Sequence, residues 1–287
     1  MNRSLSDPQT HDLTSRICVS PPYFALDGLH SPAPGTAVAR FPVEMPTGRQ
    51  AVPLGVAETG RHLAILGLCA AAGLVDGLGR RYYLAREAWA TFAPPCEWPA
   101  KMREAEGEAR AEFLTPRRAV ADTHVVGTGR IDLATMRVRY DVLTERVFRR
   151  FFSPPGHRTP SPPHNPYRSP LPLRTVFCAP DSMTAELDVV PELCAGHFEG
   201  APMLPVAFAA QALTALWDLL LDDLPETRER RWAPRSVSLS ADDMARAGER
   251  ATLTVSMDLD GEEVRCVGEI KVGEKVISRA AAEGVLV

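Results

Sequence analysis

Two long apolar runs dominate the hydrophobic pattern. Leu54 to Val75 has VAETGRHLAILGLCAAAGLV at its heart, and Val206 to Leu221 reads VAFAAQALTALWDLLL. Both are apolar almost all round a helical wheel, which predicts helices enclosed by other structure. After each run the period changes to two. Val138-Arg139-Tyr140-Asp141-Val142 and Thr252-Leu253-Thr254-Val255-Ser256-Met257 alternate apolar and polar residues, as half-buried strands do. Asp260-Gly261 marks a hairpin turn. Each half thus opens with a short strand region and a proline-containing loop, continues into one buried helix and ends in a meander of strands. That order, met twice, is an internal repeat of an α+β layout: two antiparallel sheets, each curled around its own helix. The charged segment Trp98 to Glu112 reads as an extra surface helix without chemistry.

Proline separates the halves. Phe152 to Arg174 contains eight prolines and cannot be a helix or a central strand. It favours extended polyproline geometry, at about 3.1 Å per residue, so it spans roughly 60 Å, enough to cross a small domain. The expected organisation is a loose polar segment over 1–20, a first domain over 21–151, a linker over 152–174 and a second domain over 175–287. With 287 residues, 45% of them hydrophobic, each half is able to bury a core. A net charge of −4 supplies no global basic field for nucleic acid. The apolar stretch Leu63 to Val75 stops at Asp76, too short for a membrane span, and the N-terminus has no apolar core of the kind a signal peptide needs. The six cysteines (Cys18, Cys69, Cys96, Cys178, Cys194 and Cys266) are scattered without CxxC spacing, which points to free thiols in a reducing cytoplasm and to no metal site.

One motif carries specific chemistry. Directly before the second helix stands Gly196-His197-Phe198-Glu199-Gly200-Ala201-Pro202-Met203-Leu204-Pro205. It resembles the G-H-F-x-G-x-P-x-x-P signature of the 3-hydroxyacyl-acyl-carrier-protein dehydratases, members of the hotdog-fold thioesterase and thiol ester dehydratase superfamily. The detailed likeness covers about thirty residues. It implies a tandem, double-hotdog form of the fold. It also implies dehydration of 3-hydroxyacyl thioesters to trans-2-enoyl thioesters in fatty-acid or polyketide-type metabolism. The acyl group would be carried on an acyl-carrier protein or CoA, with no other cofactor. In such a site a neutral imidazole takes the α-proton. Backbone N–H groups at a helix start polarise the thioester carbonyl. A carboxylic acid protonates the departing hydroxyl.

Against that pattern the second half lacks its acid: the helix position fourteen residues after His197 is Gln211. The first half lacks the motif, its loop reading Phe41-Pro42-Val43-Glu44-Met45-Pro46-Thr47-Gly48, but it offers Glu58 early in its helix once a one-residue gap is allowed. Because the family's sites form between two hotdogs, the expected composite site pairs His197 as base with Glu58 as acid. His62, one turn on, would orient Glu58. Gly55 or a neighbouring amide would bind the carbonyl, unless glycine there serves helix packing. Phe198, Gly200 and Pro205 would shape the substrate pocket, and the pocket facing Gln211 would be a relic. Cys194, near His197, invites a nucleophile reading that the family's non-covalent chemistry does not need. Arg228, Arg230, Arg231 and Arg235 form a basic cluster able to face an acidic carrier, although solvated arginines are the commoner case. Two other functions fit the residues: a hotdog thioesterase, in which a helix carboxylate activates water, and a non-catalytic acyl-binding partner subunit. Fusion supplies the usual dimer interface, so a monomer with a pseudo-dimeric core is expected, or a higher oligomer built from it.

Overall fold

The computed structural model describes residues 13–75, 79–94, 102–152, 165–198, 200–225 and 227–287. Most of the proline-rich segment, over 153–164, lies outside them. The first half supplies β1 (Asp27–His30), β2 (Thr36–Pro42), helix α1 (Val56–Ala72), β3 (Arg81–Phe92), β4 (Glu104–Thr115), β5 (Arg118–Val126), β6 (Asp132–Thr144) and a short helix α2 (Glu145–Phe152). The second supplies β7 (Arg174–Ala179), β8 (Ser182–Asp188), helix α3 (Val206–Asp223), β9 (Trp232–Ala241), β10 (Arg250–Asp260), β11 (Glu263–Val272) and β12 (Lys275–Leu286).

All twelve strands form one antiparallel sheet in the order β1-β2-β4-β5-β6-β3-β9-β12-β11-β10-β8-β7. Read outward from the β3–β9 seam, the two halves have the same strand order, and each sends its helix between its second and third strands. The repeat expected from the hydrophobic pattern is therefore present at the level of topology. At the seam Glu87 lies opposite Ser240 and Thr91 opposite Ser236, so the main chain itself joins the halves. Both helices are buried nearly all round. Leu63, Ile65 and Leu66 of α1, and Phe208, Leu213, Leu216 and Trp217 of α3, have at most 1% exposure, as enclosed apolar helices should.

Three local expectations change. Glu104 to Thr115 is a strand, not part of a surface helix. Its charges alternate with Ala105, Gly107, Ala109 and Ala111, and the small residues face inward while the charges face out. The N-terminal segment is packed from Leu13 onward, with Leu13, Ile17 and Cys18 buried. The end of the proline-rich stretch is a single 3-10 turn over Pro166–Arg168, capped by Asn165, whose Tyr167 is fully buried. That ring stacks on Phe208 of α3 at 4.5 Å and lies 4.0 Å beneath the guanidinium of Arg61 on α1. It is thus wedged between the helices of the two halves. No helix among the described residues is long and apolar enough to cross a membrane.

Candidate functional site

The loop before α3 holds His197 rigidly. Gly196 adopts a left-handed backbone (φ +78°), and a Cβ there would collide with the carbonyl of Ser20 and lie 2.7 Å from the amide of Tyr23. The glycine therefore serves the turn and also admits the N-terminal segment, whose Ser20 amide donates to the Gly196 carbonyl at 2.8 Å. Val19 forms a one-residue β-bridge with His197. Phe198 is also left-handed (φ +56°), an uncommon state for a residue with a Cβ. Its ring compensates by packing into the first half, 5.6 Å from Tyr82 and 5.1 Å from Phe148, while stacking on His197 at 4.0 Å.

The imidazole itself is 5% exposed. Its Nδ1 lies 3.0 Å from the carbonyl oxygen of Met203, an atom that only accepts, so Nδ1 carries the proton and Nε2 keeps the lone pair. Burial pushes its pKa down to about 4, against a smaller opposing effect of the Met203 carbonyl. At neutral pH His197 is an uncharged base with a fixed tautomer.

His197 borders a cavity of about 90 Å³ between the two halves. The floor comes from both sides of the seam, with Ala85, Ala88 and Ala90 of β3 and Val237 and Leu239 of β9. One wall is the α1 face Ala57, Gly60, Arg61 and Ala64; the other is the first turn of α3, Val206 and Ala207, with Ala210. The lining is predominantly apolar. Among the described residues its one carboxylate is Glu87, whose side chain is bridged to Arg139 at 2.9 Å and is 41% exposed. A helix start carries N–H groups without intrahelical partners and a partial positive charge, and both α1 and α3 begin at this cavity.

No protein-family model matches the sequence. No curated protein matches it either. Solved structures do. The tesB protein of Mycobacterium avium subsp. paratuberculosis superposes with a TM-score of 0.58 at 12% identity, covering 91% of this chain and 96% of that one. A conserved protein of Alicyclobacillus acidocaldarius described as having a hot dog fold gives 0.55 at 10% identity, over 94% and 99%. The 12:0-ACP thioesterase of Umbellularia californica gives 0.53 at 10% identity, over 88% and 95%. Coverage of both halves at once, with a strand order that repeats about the β3–β9 seam, decides the fold. The chain is a double hotdog.

Within this double hotdog, the two halves can be counted from their helix starts, Val56 and Val206. Nine residues before each stand Thr47 and His197; the sixth residue of each helix is Arg61 and Gln211. The cavity brings His197 together with Arg61, not with Glu58. Glu58 is fully buried on another face of α1, where one carboxylate oxygen accepts from the amides of Glu44 at 2.6 Å and Met45 at 3.1 Å. His62 lies beside it, 3.6 Å from that oxygen and stacked on Phe41 at 4.3 Å. The expected His197–Glu58 pairing is not what the helix presents: the α1 face on the cavity is Ala57, Gly60, Arg61 and Ala64, and Glu58, about 100° round the helix from Ala57, stands three residues before the position equivalent to Gln211. Burial raises the Glu58 carboxyl to about 7 and pushes His62 well below its ordinary value, so both groups favour their uncharged forms.

Gly55 is the N-cap of α1, set against Thr47 and the Gln50 side chain, which accepts from the Val56 amide at 2.8 Å. Pro205 is the N-cap of α3, and Gly200 supplies a left-handed turn (φ +77°). Of the expected shaping residues, Phe198 lines the cavity; Gly55, Gly200, Pro205 and His62 do not. Gln211 is buried, and its side-chain oxygen has no hydrogen-bond partner among the described residues. Cys194 is buried with its thiol pushed up to about 12, which suits a structural residue and not a nucleophile. Three of the clustered arginines are engaged locally: Arg230 and Arg235 pair with Glu262 and Glu263, and Arg231 donates to the Gln50 carbonyl.

The residue that sequence reasoning missed is Arg61. Its guanidinium is 1% exposed, pairs with Glu44 at 3.1 Å and donates to the carbonyls of Tyr23 at 2.9 Å and Pro22 at 2.5 Å. Glu44 is held in turn by Asn165 and Arg168. Counting both helices from the first residues that the structure gives them, Val56 and Val206, places it opposite Gln211.

Proposed function

We propose that the chain hydrolyses acyl thioesters carried on CoA or an acyl-carrier protein. His197 is the general base, and the apolar cavity between the halves receives the acyl chain. The observation that carries this reading is a neutral, tautomer-fixed imidazole on a cavity to which α1 brings Arg61 and not the expected Glu58. His197 Nε2 takes a proton from water as the water oxygen bonds to the thioester carbon. First-turn amides of a helix stabilise the resulting oxyanion. The C–S bond then breaks, and the imidazolium returns its proton to the departing sulfur, leaving a carboxylic acid and a thiol.

Leaving-group strength favours hydrolysis over dehydration here. A thiol has a pKa of about 8.5, so thiolate departs with little help. Hydroxide is the conjugate base of water, pKa about 15.7, and needs an acid to leave. The cavity offers no buried carboxylic acid for that task among the described residues. The solved structures named thioesterases support the same choice.

Dehydration of a 3-hydroxyacyl thioester is the second reading, favoured by the Gly196–Pro205 motif; His197 would then have to both take the α-proton and deliver one to the hydroxyl. A single incubation separates them. Acyl and 3-hydroxyacyl thioesters are followed in parallel by thiol release and by mass. Thiol release that disappears in His197→Ala supports hydrolysis. Water loss without thiol release makes the chain a dehydratase, and silence in both channels with acyl thioester still bound makes it a binding subunit.

A further inference from the structure

Helix α1 contains two interior glycines, and they have different reasons. A Cβ on Gly67 would lie 2.5 Å from the Tyr140 hydroxyl and 2.9 Å from Ala121. That hydroxyl donates to the Ala64 carbonyl at 2.7 Å, so the missing side chain lets the sheet lie close to the helix. Gly60 has no such neighbour: a Cβ there would meet nothing within 4 Å, and its backbone is not left-handed. Neither packing nor conformation requires glycine, and glycine inside a helix is less favourable than alanine. What lies beside Gly60 is the cavity bordered by His197. On the same face Ala57 and Ala64 are also small, and further along the helix the lining grows to Ile65 and Leu68.

We propose that Gly60 is a specificity-determining residue. Its bare backbone is the notch in α1 that gives the acyl chain its room, and any side chain there shortens the longest acyl group accepted. This rests on the reading of the cavity as an acyl-thioester site. The notch takes no part in bond making; what it sets is the preference between long and short acyl groups.

The test is a series of saturated acyl-CoA esters of increasing length, applied to the full chain and to Gly60→Ala and Gly60→Val. KM is read from thiol release, and Kd from calorimetry on the same esters with each protein also carrying His197→Ala. Gly60→Ala should raise Tm by about 2 °C, because the helix gains while nothing is displaced. The readout in each variant is KM and Kd for long esters relative to those for short ones. For the longest esters both should rise, by roughly fourfold for each methylene denied burial, and further in Gly60→Val. An unchanged length profile in Gly60→Ala, the variant certain to suit a helix, overturns the proposal. If no ester is hydrolysed but binding still shortens with the added side chain, the hydrolytic reading falls and the notch stands. If neither these esters nor the same acyl groups on an acyl-carrier protein bind, both fall.

Discussion

Replacing Glu58 by glutamine tests the physical account of α1 and the assignment of the site together. The carboxyl is fully buried, and burial raises it from 4.5 to about 7 despite two backbone amides that favour its charged form. A carboxyl whose folded pKa lies above its unfolded one binds protons more tightly when folded. Its contribution to stability is therefore present below pH 4.5 and is lost as pH rises through the window from 4.5 to about 7. At about 1.36 kcal/mol per unit, the loss amounts to roughly 3 kcal/mol above pH 7. Glutamine keeps an oxygen for the amides of Glu44 and Met45, and its amide nitrogen takes the place of an oxygen that has no partner among the described residues. Glu58→Gln should thus match the parent near pH 4.5 and exceed it by about 3 kcal/mol at pH 8, a Tm difference of roughly 6 °C or more. The comparison must be between proteins at each pH, because buried His197 has the opposite slope. Its pKa is lowered to about 4, so its contribution is lost as pH falls from 6.5 toward 4 and masks Glu58 in the parent curve. The assay is thermal and urea unfolding of both proteins from pH 4.5 to 8, with thiol release measured alongside. A variant no more stable than the parent at pH 8 would refute the burial argument. A loss of activity of about a hundredfold in a folded variant would return Glu58 to the chemistry.

Three further outcomes follow from the site. With His197 as the proposed base in its neutral form, kcat/KM should stay level from pH 8 down to about 5 and fall with an apparent pKa near 4; a limb near 6.5 would mean that the working imidazole is solvated, not buried. Gly196→Ala should destabilise by about 2–4 kcal/mol in urea unfolding, since it combines a left-handed backbone with a collision against the Ser20 carbonyl; an effect below about 1 kcal/mol would show that the N-terminal segment does not pack on this loop. Tyr167→Ala removes a fully buried ring stacked on Phe208 and lying under Arg61, and should destabilise by about 3–5 kcal/mol; near-neutrality would deny that the end of the linker is wedged between the halves.

The sequence made the repeat legible because enclosed helices and alternating strands are strong periodic signals, and Leu54–Val75 and Val206–Leu221 show them plainly. The motif around His197 was legible because left-handed positions favour glycine and the spacing to α3 is short. Helix phase was not legible. Glu58 and Arg61 lie three residues apart early in α1, within about 60° of each other round the helix, so the place where the helix starts and the side that meets the cavity must both be known to choose between them. Strand β4 was hidden for a related reason: its inward positions are alanine and glycine, which carry little hydrophobic signal against the glutamates between them. The N-terminal segment was hidden because burying Leu13, Ile17 and Cys18 requires a partner surface that lies far away in sequence, on the His197 loop and on Arg80–Arg81.

The two copies of the pre-helix loop have divided their tasks. In the second half the loop presents His197 to the cavity, clamped by Tyr23, Tyr82 and Phe148 of the first half. In the first half the equivalent stretch from Thr47 is spent on joining. Arg49 donates its amide to Asp218 of α3 at 2.9 Å and its guanidinium to Asp222 and to the carbonyls of Thr227 and Arg230. Gly48 lies so close to the Asp218 carboxylate that no side chain fits there, and burial raises that carboxyl to about 6. Trp232 and the residues flanking Gln50 exchange main-chain hydrogen bonds at 2.7 and 3.0 Å. A loop held this way cannot also present a base to Gln211, whose buried side-chain oxygen has no partner among the described residues. In a symmetric pair of identical subunits both loops must have the same surroundings; within this one chain they differ, the stretch from Thr47 fastening the halves and the other bringing His197 to the cavity.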